Sequence, residues 1–327
     1  MAKTRVIVVG AGIAGPVLAI FLKTKGYDPI VYERLPSPAE GGLSFLLQPN
    51  GLRDDLLFSL DGKEDILVDN DVAPDTMREH FGFPMIGVRR AEFQQLLIDT
   101  AEKHGIKIKW GHQAIEFEQS EDAVEVTFAN GIKDTASFVI GCDGLHSNTR
   151  IALFGKENAN FTGLVQFGGL SPTPPALRGK GVSNYGNGRH MVYVPCQGDW
   201  KTQHVEQQNE IRRGSLSDWG IVKYGLYDRP ELKSWFKGRI HLGQGANQAF
   251  EDIYHIMRLL KKYNPSAGHP STELLSARAR QQGEARVVEG IDACRVRDEK
   301  IRAGSQDDAA RMAHYELLSG PFKDSEM

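Results

Sequence analysis

Residues 6–15 constrain this chain more than any other stretch: Val6-Ile7-Val8-Val9 runs directly into Gly10-Ala11-Gly12-Ile13-Ala14-Gly15. A continuous apolar tetrad suits a parallel strand buried on both faces. After the glycine turn, Val17, Leu18, Phe21 and Leu22 recur with helical spacing between Pro16 and Lys25. Gly26 stops that helix, and a second short strand from Pro29 to Tyr32 completes a βαβ unit within the first 35 residues. In such a unit Gly10 permits the tight turn, Gly12 lets a pyrophosphate approach the backbone, and Gly15 lets helix and strand pack closely. The helix N-terminus adds N–H groups and a positive dipole end. Glu33 closes the second strand 23 residues after Gly10, where an acid can accept hydrogen bonds from ribose hydroxyls. A dinucleotide site follows; which dinucleotide does not follow from this turn alone.

The rest of the chain narrows the class. With 327 residues, 40% hydrophobic and 25% charged, it has the composition of an ordinary globular protein with a real core. A formal net charge of −3 gives no electrostatic case for nucleic acid as a partner. No stretch reaches about 18 uninterrupted apolar residues, so no membrane span is expected. Cys142, Cys196 and Cys294 are odd in number and form no Cys-x-x-Cys pair. That argues against a disulfide framework or a structural zinc site and suits a reducing, cytoplasmic compartment. His104, His112 and His146 have no partner at metal-ligand spacing.

Farther along, Phe93, Leu96, Leu97 and Ala101 share one helical face, and residues 106–136 read as a meander with a hairpin at Asn130-Gly131. Phe138-Val139-Ile140 reads as another buried strand. Strand candidates follow near Met191–Val194 and at Ile240–Leu242, then a helix carrying Phe250, Ile253, Met257 and Leu260.

Four segments carry a family resemblance. Gly141-Cys142-Asp143-Gly144-Leu145-His146-Ser147-Asn148-Thr149-Arg150 closely resembles the Asp-Gly fingerprint of the group A flavoprotein monooxygenases, which include the para-hydroxybenzoate and salicylate hydroxylases. Residues 41–52 resemble the family's stretch beside the flavin ring. Val88-Arg89-Arg90-Ala91-Glu92-Phe93 resembles its Arg-x-x-Leu signature, with Phe93 in place of Leu. Gly243-Gln244-Gly245-Ala246-Asn247 resembles the glycine turn that opens a helix toward the flavin's pyrimidine edge. The resemblance runs from residue 3 to about 263.

It implies an α/β fold: a Rossmann-type FAD-binding domain, an inserted and mainly β substrate domain, and a C-terminal helical segment. The expected divisions are 1–150, a shortened substrate region 151–237, a return to the FAD domain with C-terminal helices at 238–300, and a polar tail from 301 to 327. The cofactor is FAD, with NAD(P)H as co-substrate and a small apolar, aromatic or polyketide-like molecule as substrate, hydroxylated or epoxidised with O₂. The cofactor-binding candidates are Gly10, Gly12, Ala14, Gly15, Glu33, Arg34, Arg90, Asp143, Gly245, Ala246 and Asn247. No acid or base is named as catalytic, since the flavin carries the oxygen chemistry.

The sequence departs from the family at one place. The family's Gly-Asp-Ala-Ala-His-like motif, whose Asp binds FAD, follows the strand matching Ile240–Leu242; here Leu242 runs straight into Gly243-Gln244-Gly245. Strands of the substrate sheet also look lost around 197–220. The competing expectation is therefore a catalytically impaired or non-catalytic remnant of that family, from a decayed paralogue or a truncated gene model.

Overall fold

The computed structural model describes residues 4–39, 44–47, 56–59, 65–69, 86–172, 182–195, 201–209, 222–228, 236–237, 239–242, 253 and 290–306. The chain forms two compact units, each drawn from three stretches. One comprises Met1–Gly41, Arg90–Ala159 and Arg229–Ala267; the other comprises Gly42–Arg89, Asn160–Asp228 and Gly268–Met327.

The first unit is built on a six-stranded sheet. Arg5–Val9 pairs in parallel with Asp28–Tyr32 on one side and Phe138–Gly141 on the other. Lys107–Lys109 extends the sheet beyond the former; Ile240–Leu242 and then Phe236–Lys237 extend it beyond the latter. The period-two geometry of a strand sorts the apolar run onto two faces. Val6 and Val8, with Val31 and Ile140, pack against Leu18, Ala19 and Leu22 of the helix Ala14–Thr24 and Ala101 of the helix Arg90–Lys103. Ile7 and Val9, with Ile30 and Val139, pack on the other face against Val124, Val126 and Phe128. Those three belong to a three-stranded antiparallel meander of Ala114–Gln119, Val124–Phe128 and Lys133–Ala136. Every one of these side chains is buried, so the strand VIVV is covered on both sides as its composition requires.

A polar tie fixes the meander to the sheet. The Tyr32 hydroxyl donates to Asp134 Oδ2, which also takes the Arg5 guanidinium at 2.6 Å, while the Tyr32 ring stacks on Phe128 at 4.2 Å between centroids. Burial, and then the bond to the Asp134 carboxylate, push the Tyr32 phenol well above its ordinary pKa, so it remains a donor. At the meander's hairpin, Gly131 has φ +82° and Asn130 Oδ1 accepts the Ile132 amide, the Asx turn that Asn-Gly favours.

The second unit holds a seven-stranded sheet in the order Val222–Asp228, Asn160–Pro172, Lys201–Asn209, Arg189–Pro195, Val182–Gly186, Leu56–Ser59, Asp65–Asp69. Its pairings are antiparallel except the one between Val182–Gly186 and Leu56–Ser59. Ser44–Leu47 and Ile86–Arg89 form a separate antiparallel pair. The helix Ile291–Gln306 is anchored in this unit. Buried Arg297 donates to the Gly186 carbonyl at 2.9 Å, lies over the Tyr185 ring and pairs with buried Asp298.

The stretch 197–220, around which strands of the substrate sheet are expected to be lost, still contributes Lys201–Asn209 to the seven-stranded sheet. That strand is polar and ordered by pairing with its neighbours, which apolar periodicity does not mark. The helix Ile291–Gln306 continues into the first residues of the polar tail expected from 301. Segment 42–89 and the C-terminal helix group with the second unit, whereas the sequence divisions place them with the first.

Candidate functional site

The sheet reverses direction of growth at Arg5–Val9: the chain adds Asp28–Tyr32 and Lys107–Lys109 on one side of it, then Phe138–Gly141 and Ile240–Leu242 on the other. Ligands of open α/β sheets bind outside the carboxyl ends of strands at such a switch point. Here two strand-to-helix turns meet. Gly10 follows one strand and donates its amide to the Tyr32 carbonyl at 2.7 Å; Cys142 follows the other and donates to the Val9 carbonyl at 2.7 Å.

Each glycine of the first turn has its own physical reason. Gly10 has φ +105°, and a Cβ there would lie 2.5 Å from the Cys142 carbonyl oxygen. A Cβ on Gly15 would lie 1.9 Å from the Gly10 oxygen, so the helix start can sit on the turn only with hydrogen at that position. A Cβ on Gly12 would meet no atom of the described residues within 4 Å. Gly12 is thus not required by the packing of the turn itself; its missing side chain leaves open space over the backbone. The helix that follows has Ile13 at its N-cap, no side-chain cap and no acid in its first turn. Its amide end and positive dipole are left for an anion.

Glu33 braces the turn. Its Oε2 accepts the Ala11 amide at 2.7 Å and its Oε1 accepts the Leu35 amide at 3.0 Å. Each carboxylate oxygen keeps a further lone pair for a ribose hydroxyl.

The second turn is organised differently. Asp143 Oδ1 accepts the Ser147 hydroxyl at 2.6 Å, and its Oδ2 accepts the Thr149 amide and hydroxyl, both at 3.0 Å. Ser147 Oγ in turn accepts the Arg150 amide at 2.9 Å and caps the short helix Asn148–Phe154. This turn is closed on itself.

Between the turns lies an open cleft of about 260 Å³, contained within the first unit. That is below the range of about 300–1,000 Å³ usual for whole small-molecule pockets, so it accommodates part of a dinucleotide. Gly10, Gly12, Glu33, Arg34, Arg90 and Asp143 all line it. Ala14 and Gly15 do not: they form the first turn of the helix behind it. Arg150, the last residue of the Asp-Gly segment, is buried away from the cleft, with one nitrogen on Glu157. Gly245, Ala246 and Asn247 lie outside the described residues, as does the junction after Leu242 where the family's Asp is missing.

Among the other lining residues, Tyr32, Gln94 and His112 carry polar groups that no sequence motif marks. Gln94 lies one helical turn beyond Arg90 and donates Nε2 to the Ala11 carbonyl at 2.7 Å. An i, i+4 relation to Arg90 on one helix face was the available signal. His112 donates its amide to the Glu33 carbonyl, and its Nδ1 sits 2.6 Å from the Trp110 carbonyl oxygen.

The residues present fit a dinucleotide of the FAD kind: an uncapped helix end and an open glycine for the diphosphate, a buried carboxylate for a ribose, and Arg34 and Arg90 in the lining.

Comparison with known proteins agrees. The family described as FAD binding domain matches residues 3–178, more than half of the chain. The chain is 27% identical to 3-amino-4-hydroxybenzoate 2-monooxygenase of Streptomyces cremeus, over 91% of this chain and 92% of that one. It is 25% identical to 3-hydroxybenzoate 6-hydroxylase 1 of Aquipseudomonas alcaligenes, over 79% and 84%. Among solved structures, Klebsiella pneumoniae HpxO complexed with FAD and uric acid superposes with TM-score 0.81 at 19% identity, covering 98% of each chain. A salicylate hydroxylase substrate complex gives 0.68 at 17%, covering 97% of this chain and 98% of that one. At such identities the superpositions speak for the fold, and the family match speaks for the lineage. With the glycine turn, the braced carboxylate and the Asp-Gly turn gathered at one switch point, the chain belongs to the FAD-binding-domain family, as a group A flavoprotein monooxygenase.

Proposed function

We propose that this protein uses NAD(P)H and O₂ to hydroxylate or epoxidise a small aromatic molecule in the cytoplasm, with FAD held by the cleft of the first unit. The observation that carries this is the uncapped helix end beside Gly12 and Glu33, in a chain whose relatives at 24–27% identity include monooxygenases named for substituted benzoates and nicotinates. Bound FAD supplies the redox and oxygen chemistry. The protein's residues bind and orient it: the turn Gly10–Gly15 and the helix end take the diphosphate, Glu33 takes a ribose, and Arg90 and Asp143 line the same cleft. The roles of Gly245, Ala246 and Asn247 at the ring follow from the family pattern.

The test is oxidation of NADH and of NADPH by the FAD-loaded protein across hydroxybenzoates, aminohydroxybenzoates and hydroxynicotinates. A substrate that stimulates oxidation and yields a hydroxylated product by mass spectrometry supports the proposal. If every member of a broad panel leaves the background rate unchanged, the proposal fails.

One observation favours a second reading, a form that holds nucleotide with impaired turnover. The alignment with the Streptomyces cremeus enzyme runs over 368 residues while covering 91% of this 327-residue chain, so roughly 70 aligned positions face no residue here. Together with the absent Gly-Asp motif, this supports the loss of a cofactor ligand and of further family positions. Such losses weaken the shielding of the flavin from water. Stoichiometric flavin with coupled product formation excludes the second reading; bound flavin that consumes NAD(P)H only to make hydrogen peroxide supports it.

A further inference from the structure

Gln94 is buried, at 3% of its full exposure, yet it lines the cleft. Its two amide atoms are in different situations. Nε2 donates to the Ala11 carbonyl at 2.7 Å, while Oε1 has no hydrogen-bond partner among the described residues. The orientation is not interchangeable, because the reverse rotamer would set two carbonyl-type oxygens against each other. Oε1 is therefore a fixed acceptor, cut off from bulk water, and it calls for a donor.

The diphosphate of a dinucleotide cannot satisfy it, since phosphate oxygens at neutral pH only accept. The donors nearest a diphosphate are the hydroxyls of the sugar or polyol on either side of it. One side is already assigned: Glu33 holds the Ala11 amide and offers its remaining lone pairs to a ribose. Gln94 holds the same residue by its carbonyl. The two side chains thus grip Ala11 at its two ends, with the diphosphate turn between them.

We propose that Gln94 selects the flavin half of the cofactor: its Oε1 accepts a hydrogen bond from a hydroxyl of the ribityl chain. The inference rests on the family's FAD and not on any substrate. It makes Gln94 blind to ligands that end at the diphosphate.

The test compares FAD with ADP on the full-length apoprotein, using flavin fluorescence quenching for the first and calorimetry for the second. Gln94→Lys keeps a donor for the Ala11 carbonyl and removes the acceptor; Gln94→Met removes both. Any effect passed through the diphosphate turn changes FAD and ADP binding together and cancels in their ratio. The ratio of FAD to ADP affinity is expected to fall about tenfold in both variants, equivalent to about 1.4 kcal/mol. A ratio that moves less than about twofold while both affinities fall shows that Gln94 acts only through Ala11 and overturns the proposal. Wild-type protein that binds ADP but not FAD overturns it as well. Urea unfolding of each apoprotein identifies a misfolded variant, in which case the folded one of the pair decides.

Discussion

The two turns at the switch point look alike in sequence: each follows an apolar strand, each carries glycines, and each opens a helix. The first, Gly10–Ala14, is left open. Ile13 supplies no side-chain cap, and no atom of the described residues fills the space beside Gly12. The second, Gly141–Asn148, spends its polar groups on itself, with Asp143, Ser147 and Thr149 joined in one capping network. The difference teaches which turn is the anion site. A helix end whose amides are already served by a carboxylate and a hydroxyl has little left for a phosphate, and a fixed carboxylate there repels one.

Substitutions sharpen this contrast, beginning with the largest effect. Gly15→Ala forces a Cβ into the Gly10 carbonyl and is expected to cost about 3 kcal/mol of stability together with FAD binding. An apoprotein urea midpoint equal to wild type would show that the turn yields more easily than its packing implies. Gly12→Leu meets no atom of the described residues, so the apoprotein should melt as wild type. Its side chain fills the approach to the backbone, and FAD affinity should fall on the order of 100-fold, about 2.8 kcal/mol. Retained flavin in this variant breaks the contrast outright.

The second turn should answer in the opposite sense. Asp143→Ala removes the acceptor of three hydrogen bonds and should lower stability by about 2 kcal/mol while FAD affinity changes by less than tenfold. Ser147→Ala, which removes the cap alone, should cost about 1 kcal/mol and leave FAD affinity within about twofold. If either variant loses the cofactor before it loses stability, the second turn is a direct ligand and the division between the turns is wrong.

These residues also show what is legible in the sequence. Gly10, Gly12, Gly15 and Glu33 can be assigned roles from residue type and spacing because backbone geometry and a diphosphate leave few alternatives at those positions. The contacts found match the roles of the first and third glycines. The strands Arg5–Val9, Asp28–Tyr32 and Phe138–Gly141 are legible because burial on both faces demands unbroken apolar runs. Lys201–Asn209 is not: KTQHVEQQN has one apolar residue, and only its neighbours in the sheet make it a strand. The family pattern points to Asp143 as a cofactor-side residue, and it does line the cleft, but its capping partners depend on side-chain directions that spacing does not reveal. Gln94 and Tyr32 are common residues given their place by packing, so no motif marks them.

The central claim is that the open turn of the first unit holds FAD even though the chain lacks the family's Gly-Asp motif. The most direct measurement is the absorbance spectrum, between about 300 and 550 nm, of the purified and desalted protein after incubation with FAD. The account predicts the bands of bound oxidised flavin, at about one per chain, and their loss in Gly12→Leu. A protein that stays colourless after desalting, or a Gly12→Leu variant as yellow as wild type, contradicts it.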